Sequence, residues 1–319
     1  MAMAVYVNTN YSALQGQRYL GNVQNSLTTT YQRLSSGMRI NSAKDDAAGL
    51  QIADRLTSQI NGLNQGNRNA SDGIALAQTI ESGMDEMSGM LQKIRTLAVQ
   101  ASNGTNTAED RKALSKEASA LANEISRIAD QTTFAGKKIL KGYDKTNGIY
   151  EGTVAAGANP KDGSTGKLTL QVGSNKGDTI SFQMKSFMFS MIASAAGLKE
   201  KIADAPAAGK SFIIAQGDIT VSFTSSTDTQ EVIGYMDKMI AQVDAARADL
   251  GAIQNRLESS IRNQSNVAAN EADARSRIRD ADFAEESANL SQQSIIQQAA
   301  ASMLMQANTR PQLGLSLLG

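Results

Sequence analysis

The strongest constraint on this fold is an apolar residue that recurs every seven positions along stretches without proline. Prolines stand only at Pro160, Pro206 and Pro311, so 1–159 and 207–310 lack the strongest helix breaker. The first repeat consists of Ala13, Leu20, Leu27 and Leu34. A longer repeat follows at Leu56, Leu63, Ala70, Ala77, Met84, Leu91 and Ala98. This spacing is typical of coiled coils and predicts long helices.

The C-terminal part of the chain mirrors this pattern. Three- and four-residue steps connect Met236, Met239, Val243, Ala246, Leu250, Ile253 and Leu257. A last stripe of Ile296, Ala300, Met303 and Ala307 lies in a segment with almost no charge after Glu286. An uncharged apolar segment needs a partner surface. The sequence therefore predicts a mainly α fold, in which long N- and C-terminal helices pair as an antiparallel coiled coil or helical bundle.

The middle of the chain has a different composition. Residues 141–230 are rich in Gly, Ser and Thr, and apolar residues alternate with polar ones on both sides of the turn Gly173–Gly177. This alternation predicts a β-hairpin at 167–184. A smaller hairpin around Gly217 and a short helix at Met191–Ala203 are also expected. The hairpin and a small α+β outer insertion complete the predicted fold.

These patterns predict a division of the chain into three parts. Residues 1–43 and 284–319 form a terminal helical core domain. Residues 44–144 and 230–283 form a helical bundle domain that carries the hairpin. Residues 145–166 and 185–229 form a variable outer insertion.

Composition excludes several classes of function. The chain has no His and no Cys, which removes Ser/His and Cys/His nucleophile pairs, the usual zinc ligands and thiol redox chemistry. The 31 basic and 31 acidic residues balance, so no overall field attracts nucleic acid. The adjacent Asp45 and Asp46 beside Lys44 indicate a polar linker between helices rather than a metal site. We expect no enzyme activity, no cofactor, no metal and no nucleic-acid partner.

The first residues give no sign of a secretory signal. Met1–Gln17 contains no basic cluster followed by an apolar run. No apolar stretch reaches the roughly 18 residues that a membrane span needs. We therefore expect neither a cleaved signal peptide nor a membrane span.

Several motifs carry a resemblance to a known family. The segment Leu34–Gly49, LSSGMRINSAKDDAAG, closely resembles the N-terminal signature of bacterial flagellins. The resemblance continues in Asn69–Ile74, Leu97–Gln100 and Gln131–Gly136. In the C-terminal part it includes Leu250–Leu257, Ala274–Ile278 and Gln306–Asn308. It covers roughly residues 1–140, the hairpin and 230–319.

The resemblance implies a structural subunit that polymerises into the bacterial flagellar filament for motility. It implies export in an unfolded state by the flagellar type III pathway, without a cleaved signal peptide, and an extracellular location. The implied partners are further copies of the chain, an export chaperone bound to the C-terminal segment 284–319, the filament cap and the hook-filament junction proteins.

Two groups of site residues are expected. Contacts between subunits are predicted at Leu20, Leu27, Leu34, Arg39, Asn41, Lys44, Asp45, Asp46, Ile296, Ala300, Met303 and Ala307. The resemblance also implies a patch recognised by Toll-like receptor 5, at positions that match Lys93, Leu97 and Glu117. Many family members have Arg at the first of these positions.

Two other functions stay open at the level of the sequence. A hook-filament junction-type axial protein would share the terminal repeats but would form a short ring. A membrane-active amphipathic helix or a secreted adhesin would use the same apolar tail without assembly into a polymer.

Overall fold

A computed structural model describes residues 9–144, 146–152, 165–198, 202–203, 212–215 and 218–316. The chain divides into two compact units, one formed by Met1–Asn61 with Val267–Gly319 and the other by Gly62–Asn266. The three-part domain division predicted from the sequence stays a proposal.

Long helices dominate the described residues, as the heptad repeats predict. They are α1 Tyr11–Ser36, α2 Ala47–Ala101, α3 Ala108–Gln131, the short α4 Phe189–Ala195, α5 Ser226–Arg279 and α6 Phe283–Ser316. The strands are β1 Thr133–Phe134, β2 Lys137–Lys138, β3 Gly166–Gln171, β4 Thr179–Met184, β5 Ile202–Ala203, β6 Phe212–Ala215 and β7 Asp218–Val221.

Local chemistry fixes where several helices begin and end. The Asn10 side chain accepts the Ala13 N–H at the start of α1, and Gly37 ends that helix in the left-handed conformation with φ of 69°. At α3, Thr107 and Asp110 form a reciprocal capping box. The acidic residues at the start of α3 are evident in the sequence, and the structure adds the threonine that completes the cap.

In the first unit, α1 and α6 pair side by side in opposite directions. Asn10 Nδ2 donates to the Ala307 carbonyl over 2.7 Å, and Thr30 Oγ1 lies 3.3 Å from Gln293 Oε1 at the other end. Leu27 and Thr30 are buried. This pairing confirms the predicted antiparallel arrangement of the terminal helices.

In the second unit, α2, α3 and α5 enclose one continuous apolar core. Its largest fully buried side chains include Ile80, Met84, Met87, Leu91, Ile94, Ile125 and Met236. Arg95 pairs with Asp237 at 2.6 Å and Asp85 with Arg247 at 3.0 Å, which shows that α2 and α5 run antiparallel. Most of the long repeat predicted from Leu63 to Ala98 is therefore core rather than external surface.

The hairpin β3–β4 packs against α2 at a row of glycines. It pairs Leu168 with Phe182 and Leu170 with Ile180, within the predicted span 167–184. A Cβ at Gly62 would lie 2.7 Å from Ser174 Cβ, one at Gly73 would lie 2.5 Å from Leu170 Cδ1, and one at Gly66 would overlap the Val172 carbonyl. These glycines weaken an isolated helix. The hairpin explains their presence, because only a helix without side chains there admits so close an approach.

Strand β7, which lies within the predicted outer insertion, packs on α3. Strand β6 pairs antiparallel with β7 and parallel with β5. The Asn123 side chain accepts the Ile219 N–H over 2.7 Å and donates to the Ile219 carbonyl, while Ser119 accepts the Val221 N–H over 3.0 Å. Side chains of α3 thus replace the missing neighbour strand at one sheet edge, which would otherwise expose unpaired backbone groups.

One predicted element of the insertion is wrong in part. The short helix expected at Met191–Ala203 is α4, which starts at Phe189 and ends at Ala195, and Ile202–Ala203 is strand β5. The chain leaves α4 through Gly197, whose φ of 80° suits glycine. Strands β6 and β7 confirm the smaller hairpin, although Gly217 itself lies outside the described residues.

The glycine row gives a testable prediction. Gly66→Ala should lower the free energy of unfolding by about 1–3 kcal/mol, because the added methyl group must displace the hairpin backbone. Urea denaturation followed by circular dichroism measures this value.

The matched control is Gly89→Ala, also within α2, where a Cβ would meet nothing within 4 Å. That substitution should stabilise the chain by up to about 1 kcal/mol through helix propensity alone. Equal stability of the two variants would show that the hairpin does not require the glycine.

Candidate functional surfaces

The segment that carries the strongest sequence motif joins two helix breaks in the first unit. The backbone N–H of Arg39 donates to the Arg279 carbonyl over 2.7 Å, and the N–H of Ala281 donates to the Gly37 carbonyl over 3.0 Å. Met38 and Asp280 form an antiparallel bridge. The break after α1 and the break before α6 are thus held together by main-chain hydrogen bonds.

The acidic residues of this segment organise the linker between α1 and α2. Asp45 Oδ2 accepts the N–H groups of Ser42 at 2.9 Å and Asn41 at 3.1 Å. These hydrogen bonds, that from Ser42 first, hold the pKa of the Asp45 carboxyl below its usual value. The stabilisation exists above the unfolded pKa and is lost as the pH falls through the lower folded value. Asp46 accepts the Gly49 N–H over 2.9 Å and so caps α2.

Two more predicted contact residues also have partners within the chain. The Arg39 guanidinium donates to the Ile278 carbonyl over 2.6 Å, and Asn41 Nδ2 donates to Ser36 Oγ over 2.8 Å. Lys44 is exposed. The predicted polar linker is therefore a folded joint, and contacts between its residues and a neighbouring subunit stay a prediction.

The apolar residues predicted as subunit contacts differ in how much of them the chain itself covers. Leu27 is buried, and Leu20, Leu34, Ile296, Ala300 and Ala307 are partly buried. Met303 is 70% exposed. Part of the predicted stripe is thus already used within one chain, and the remainder is available to a partner.

An ion pair between α1 and α6 was not predicted from the sequence. Arg33 Nη1 lies 3.0 Å from Glu286 Oε1, and Glu286 is only 7% exposed. The signal was present, because Arg33 lies in the last turn of α1 and Glu286 in the first turn of α6. Pairing the two helix breaks places these turns side by side.

Helices α1 and α6 expose large apolar side chains, and of those on α6 only Met303 belongs to the predicted stripe. Ile295 is 67% exposed, on a helix whose Ile296, Ala300 and Ala307 are only partly buried. The exposed set comprises Tyr11, Leu14, Tyr19 and Tyr31 on α1, and Phe283, Ile295, Met303 and Met305 on α6. We name this set the outer apolar surface. A helix that is apolar on more than one side requires cover on more than one side.

A second surface brings the predicted receptor residues close together. Lys93 Nζ lies 3.2 Å from Glu117 Oε1, joining exposed faces of α2 and α3. Leu97 lies one helical turn beyond Lys93 and is only 7% exposed. The patch therefore presents an exposed ion pair, with Leu97 contributing to the core beneath the surface of α2.

The described residues contain no group of three or more His, Cys, Asp or Glu side chains placed to hold a metal ion. Among the same residues, no helix has the length and apolar character of a membrane span.

Both ends of the chain match models of known protein families. Residues 7–145 match the family model of the bacterial flagellin N-terminal helical region. Residues 233–318 match the model of the bacterial flagellin C-terminal helical region.

Complete relatives align along nearly the whole chain. Polar flagellin C of Vibrio parahaemolyticus serotype O3:K6 is 35% identical, over 99% of this chain and 100% of that protein. Flagellin D of Vibrio anguillarum is 37% identical with the same coverage. A solved flagellar hook-associated protein from Vibrio parahaemolyticus has a TM-score of 0.52 at 14% identity, covering 74% of this chain and 100% of that one. That last likeness is one of fold.

The Arg33–Glu286 pair gives the prediction for this surface. Glu286→Gln should lower the free energy of unfolding of the α1–α6 pair by about 1–2 kcal/mol, because the charge-assisted hydrogen bond is lost while Arg33 stays partly in water. Hydrogen exchange of α1 peptides measures the change.

Glu285→Gln is the matched control, because Glu285 lies in the same first turn of α6 but is exposed. It removes the same charge without removing the ion pair. If both variants accelerate exchange in α1 equally, the effect is general to the helix N-terminus and the ion pair contributes nothing specific.

Proposed function

The chain belongs to the bacterial flagellin family, and we propose that its outer apolar surface is the contact through which it polymerises. It is a subunit of the flagellar filament, which lies outside the cell. The observation that carries the proposal is the exposure of Ile295, Met303 and Met305 on a helix that also packs against α1.

The physical argument rests on the cost of leaving this surface in water. Burying one large aliphatic side chain contributes about 1.5–3 kcal/mol. The outer apolar surface holds four large aliphatic and four aromatic side chains on two adjacent helices. Contacts with further copies of the chain would cover them, and a repeated contact that does not close on itself builds an open helical filament.

The predicted contact residues enter this proposal with different roles. Met303 belongs to the outer apolar surface and would be covered by a neighbour. Leu20, Leu34, Ile296, Ala300 and Ala307 would extend the contact from the partly covered seam. Leu27, which is buried, would stabilise the packing of α1 against α6. Arg39, Asn41, Lys44, Asp45 and Asp46 would contact neighbours along the folded joint.

We propose that the chain acts as a structural protein rather than an enzyme. Its relatives are flagellins, and the full sequence contains no His or Cys. A hook-filament junction role is the second candidate, since a hook-associated protein shares the fold. The alignment with complete flagellins favours the filament role, and filament length distinguishes the two.

Polymerisation gives a direct test. Ile295→Ser combined with Met303→Ser should raise the critical concentration at least tenfold, since a loss of about 1.4 kcal/mol in contact energy already corresponds to a factor of ten. Electron microscopy and sedimentation of chains incubated with short filament seeds measure this concentration.

The control combines Gln292→Ser with Gln298→Ser, two exposed polar positions of the same helix. It should elongate seeds like the unchanged chain. A chain lacking 1–40 and 284–319 should form no filaments. Normal elongation by the Ile295 and Met303 variant would remove the outer apolar surface from the proposal, and short rings from the unchanged chain would favour the junction role.

The exposed apolar residues of α6 also support a proposal about export. We propose that the chain leaves the cell unfolded by the flagellar type III pathway, without a cleaved signal peptide, and that an export chaperone covers 284–319 until assembly. The filament cap and the junction proteins would be the other partners. The apolar residues of α6 supply the reason for a chaperone, because they need cover before subunits meet. Deleting 284–319 should abolish chaperone binding while leaving the second unit folded.

The second surface supports a proposal about recognition by an animal host. Lys93, Leu97 and Glu117 would contact Toll-like receptor 5, with the exposed charges making polar contacts. Lys93 offers one ammonium group, whereas an arginine would offer a planar fork able to form paired hydrogen bonds.

Receptor signalling tests this patch. Lys93→Ala and Glu117→Ala should each weaken receptor activation in a cell reporter assay, whereas Lys93→Arg should strengthen it. An exposed ion pair contributes only about 0–1 kcal/mol to stability, so the fold should persist in all three variants. Lys112→Ala, at an exposed position of α3, is the control. Unchanged signalling by both alanine variants at Lys93 and Glu117 would exclude the patch.

A further inference from the structure

The chain contains three Asn-Gly pairs: Asn61-Gly62, Asn103-Gly104 and Asn147-Gly148. An asparagine followed by glycine is chemically labile in water, because glycine has no Cβ to keep its backbone nitrogen from the asparagine side chain. The three pairs share this local chemistry but lie in three different environments. The structure therefore determines which of them reacts.

The pair Asn103-Gly104 lies in the open turn between α2 and α3. Both residues are exposed, and a Cβ at Gly104 would meet nothing within 4 Å. The Gly104 N–H takes part in no hydrogen bond within the described part of the chain. Asn103 Oδ1 faces the Thr105 N–H at 3.4 Å, so the side chain folds forward along the backbone toward Gly104.

The other two pairs are held by neighbouring backbone. Asn61 and Gly62 lie inside α2, where the main-chain amides donate within the helix, and a Cβ at Gly62 would lie 2.7 Å from Ser174 Cβ. The Gly148 N–H donates to the Asp144 carbonyl over 3.0 Å, and the Asn147 carbonyl accepts the Lys138 N–H over 2.9 Å. Reaction at either pair requires local opening first.

We propose that Asn103 is a site of spontaneous deamidation in the folded chain. The Gly104 backbone nitrogen attacks Asn103 Cγ and forms a nitrogen–carbon bond, while the Cγ–Nδ2 bond breaks. The amide leaves as ammonia and takes the proton from the Gly104 nitrogen. Water then opens the resulting five-membered imide at either of its two carbonyls, which yields aspartate or isoaspartate. No oxidant or reductant takes part.

The modification alters the turn that ends α2. Asn103 accepts the Asn106 N–H over 3.2 Å, and Asn106 Nδ2 donates to the Gln100 carbonyl over 2.5 Å. Isoaspartate lengthens the main chain at this point by one methylene group, which displaces these partners. Both products also place a negative charge near the C-terminus of α2, where the helix dipole disfavours it.

The test compares the three sites within one protein. The full chain is incubated as a folded monomer and, separately, in concentrated urea, both at mildly alkaline pH. Peptide mass mapping then measures the conversion of each amide to the acid. In urea the three rates should be similar. In the folded chain Asn103 should keep its urea rate, while Asn61 and Asn147 should slow by at least about tenfold, which corresponds to about 1.4 kcal/mol of opening.

A variant separates the proposed route from general hydrolysis. Gly104→Ala should slow conversion at Asn103 in both solvents, because the added Cβ crowds the attacking nitrogen, and should leave Asn61 and Asn147 unchanged. The proposal is overturned if folded-chain Asn103 reacts no faster than the other two sites. It is equally overturned if conversion at Asn103 persists at its full rate in G104A.

Discussion

The pairing of two helix breaks determines the register of the terminal helices. Main-chain hydrogen bonds join Arg39 to Arg279 and Ala281 to Gly37, so α1 ends at the level where α6 begins. From this joint the two helices can only run back alongside each other, and Glu286 must face Arg33. A shift of one residue at the joint would separate that buried carboxylate from its cation, at a cost far greater than that of an exposed pair.

The second unit depends on close approaches that bulky residues would prevent. The hairpin reaches α2 because three positions along one row lack side chains, and the edge of β7 is sealed because Ser119 and Asn123 supply hydrogen bonds that a strand would otherwise supply. In both places a residue that is unfavourable within an isolated helix enables a tertiary contact. At these positions the helix loses intrinsic stability. The tertiary packing or hydrogen bonds that the residue permits contribute more stability than is lost.

The sequence predicted features that depend on a single element, but not those that depend on contacts between distant residues. The heptad spacing and the proline distribution were sufficient for the long helices, because both signals act within a single element. The alternation at 167–184 was sufficient for the hairpin for the same reason. The end of α4 at Ala195 was not predicted, because apolar residues continue beyond it and only the turn at Gly197 shows the break. The Arg33–Glu286 pair could be predicted only from the register of α1 against α6. The local sequence around either residue does not indicate that register.

The exposure of apolar side chains on α6 bears on the stability of the chain and on its proposed assembly and export. Because α6 both packs on α1 and exposes Ile295, Met303 and Met305, the pairing of two helices leaves part of its apolar area in water. In the proposed polymer, contacts between subunits would cover that area, so burial of these α6 side chains would also contribute to holding subunits together. The same residues would promote premature association inside the cell. This is the physical reason for proposing that an export chaperone covers α6 until assembly.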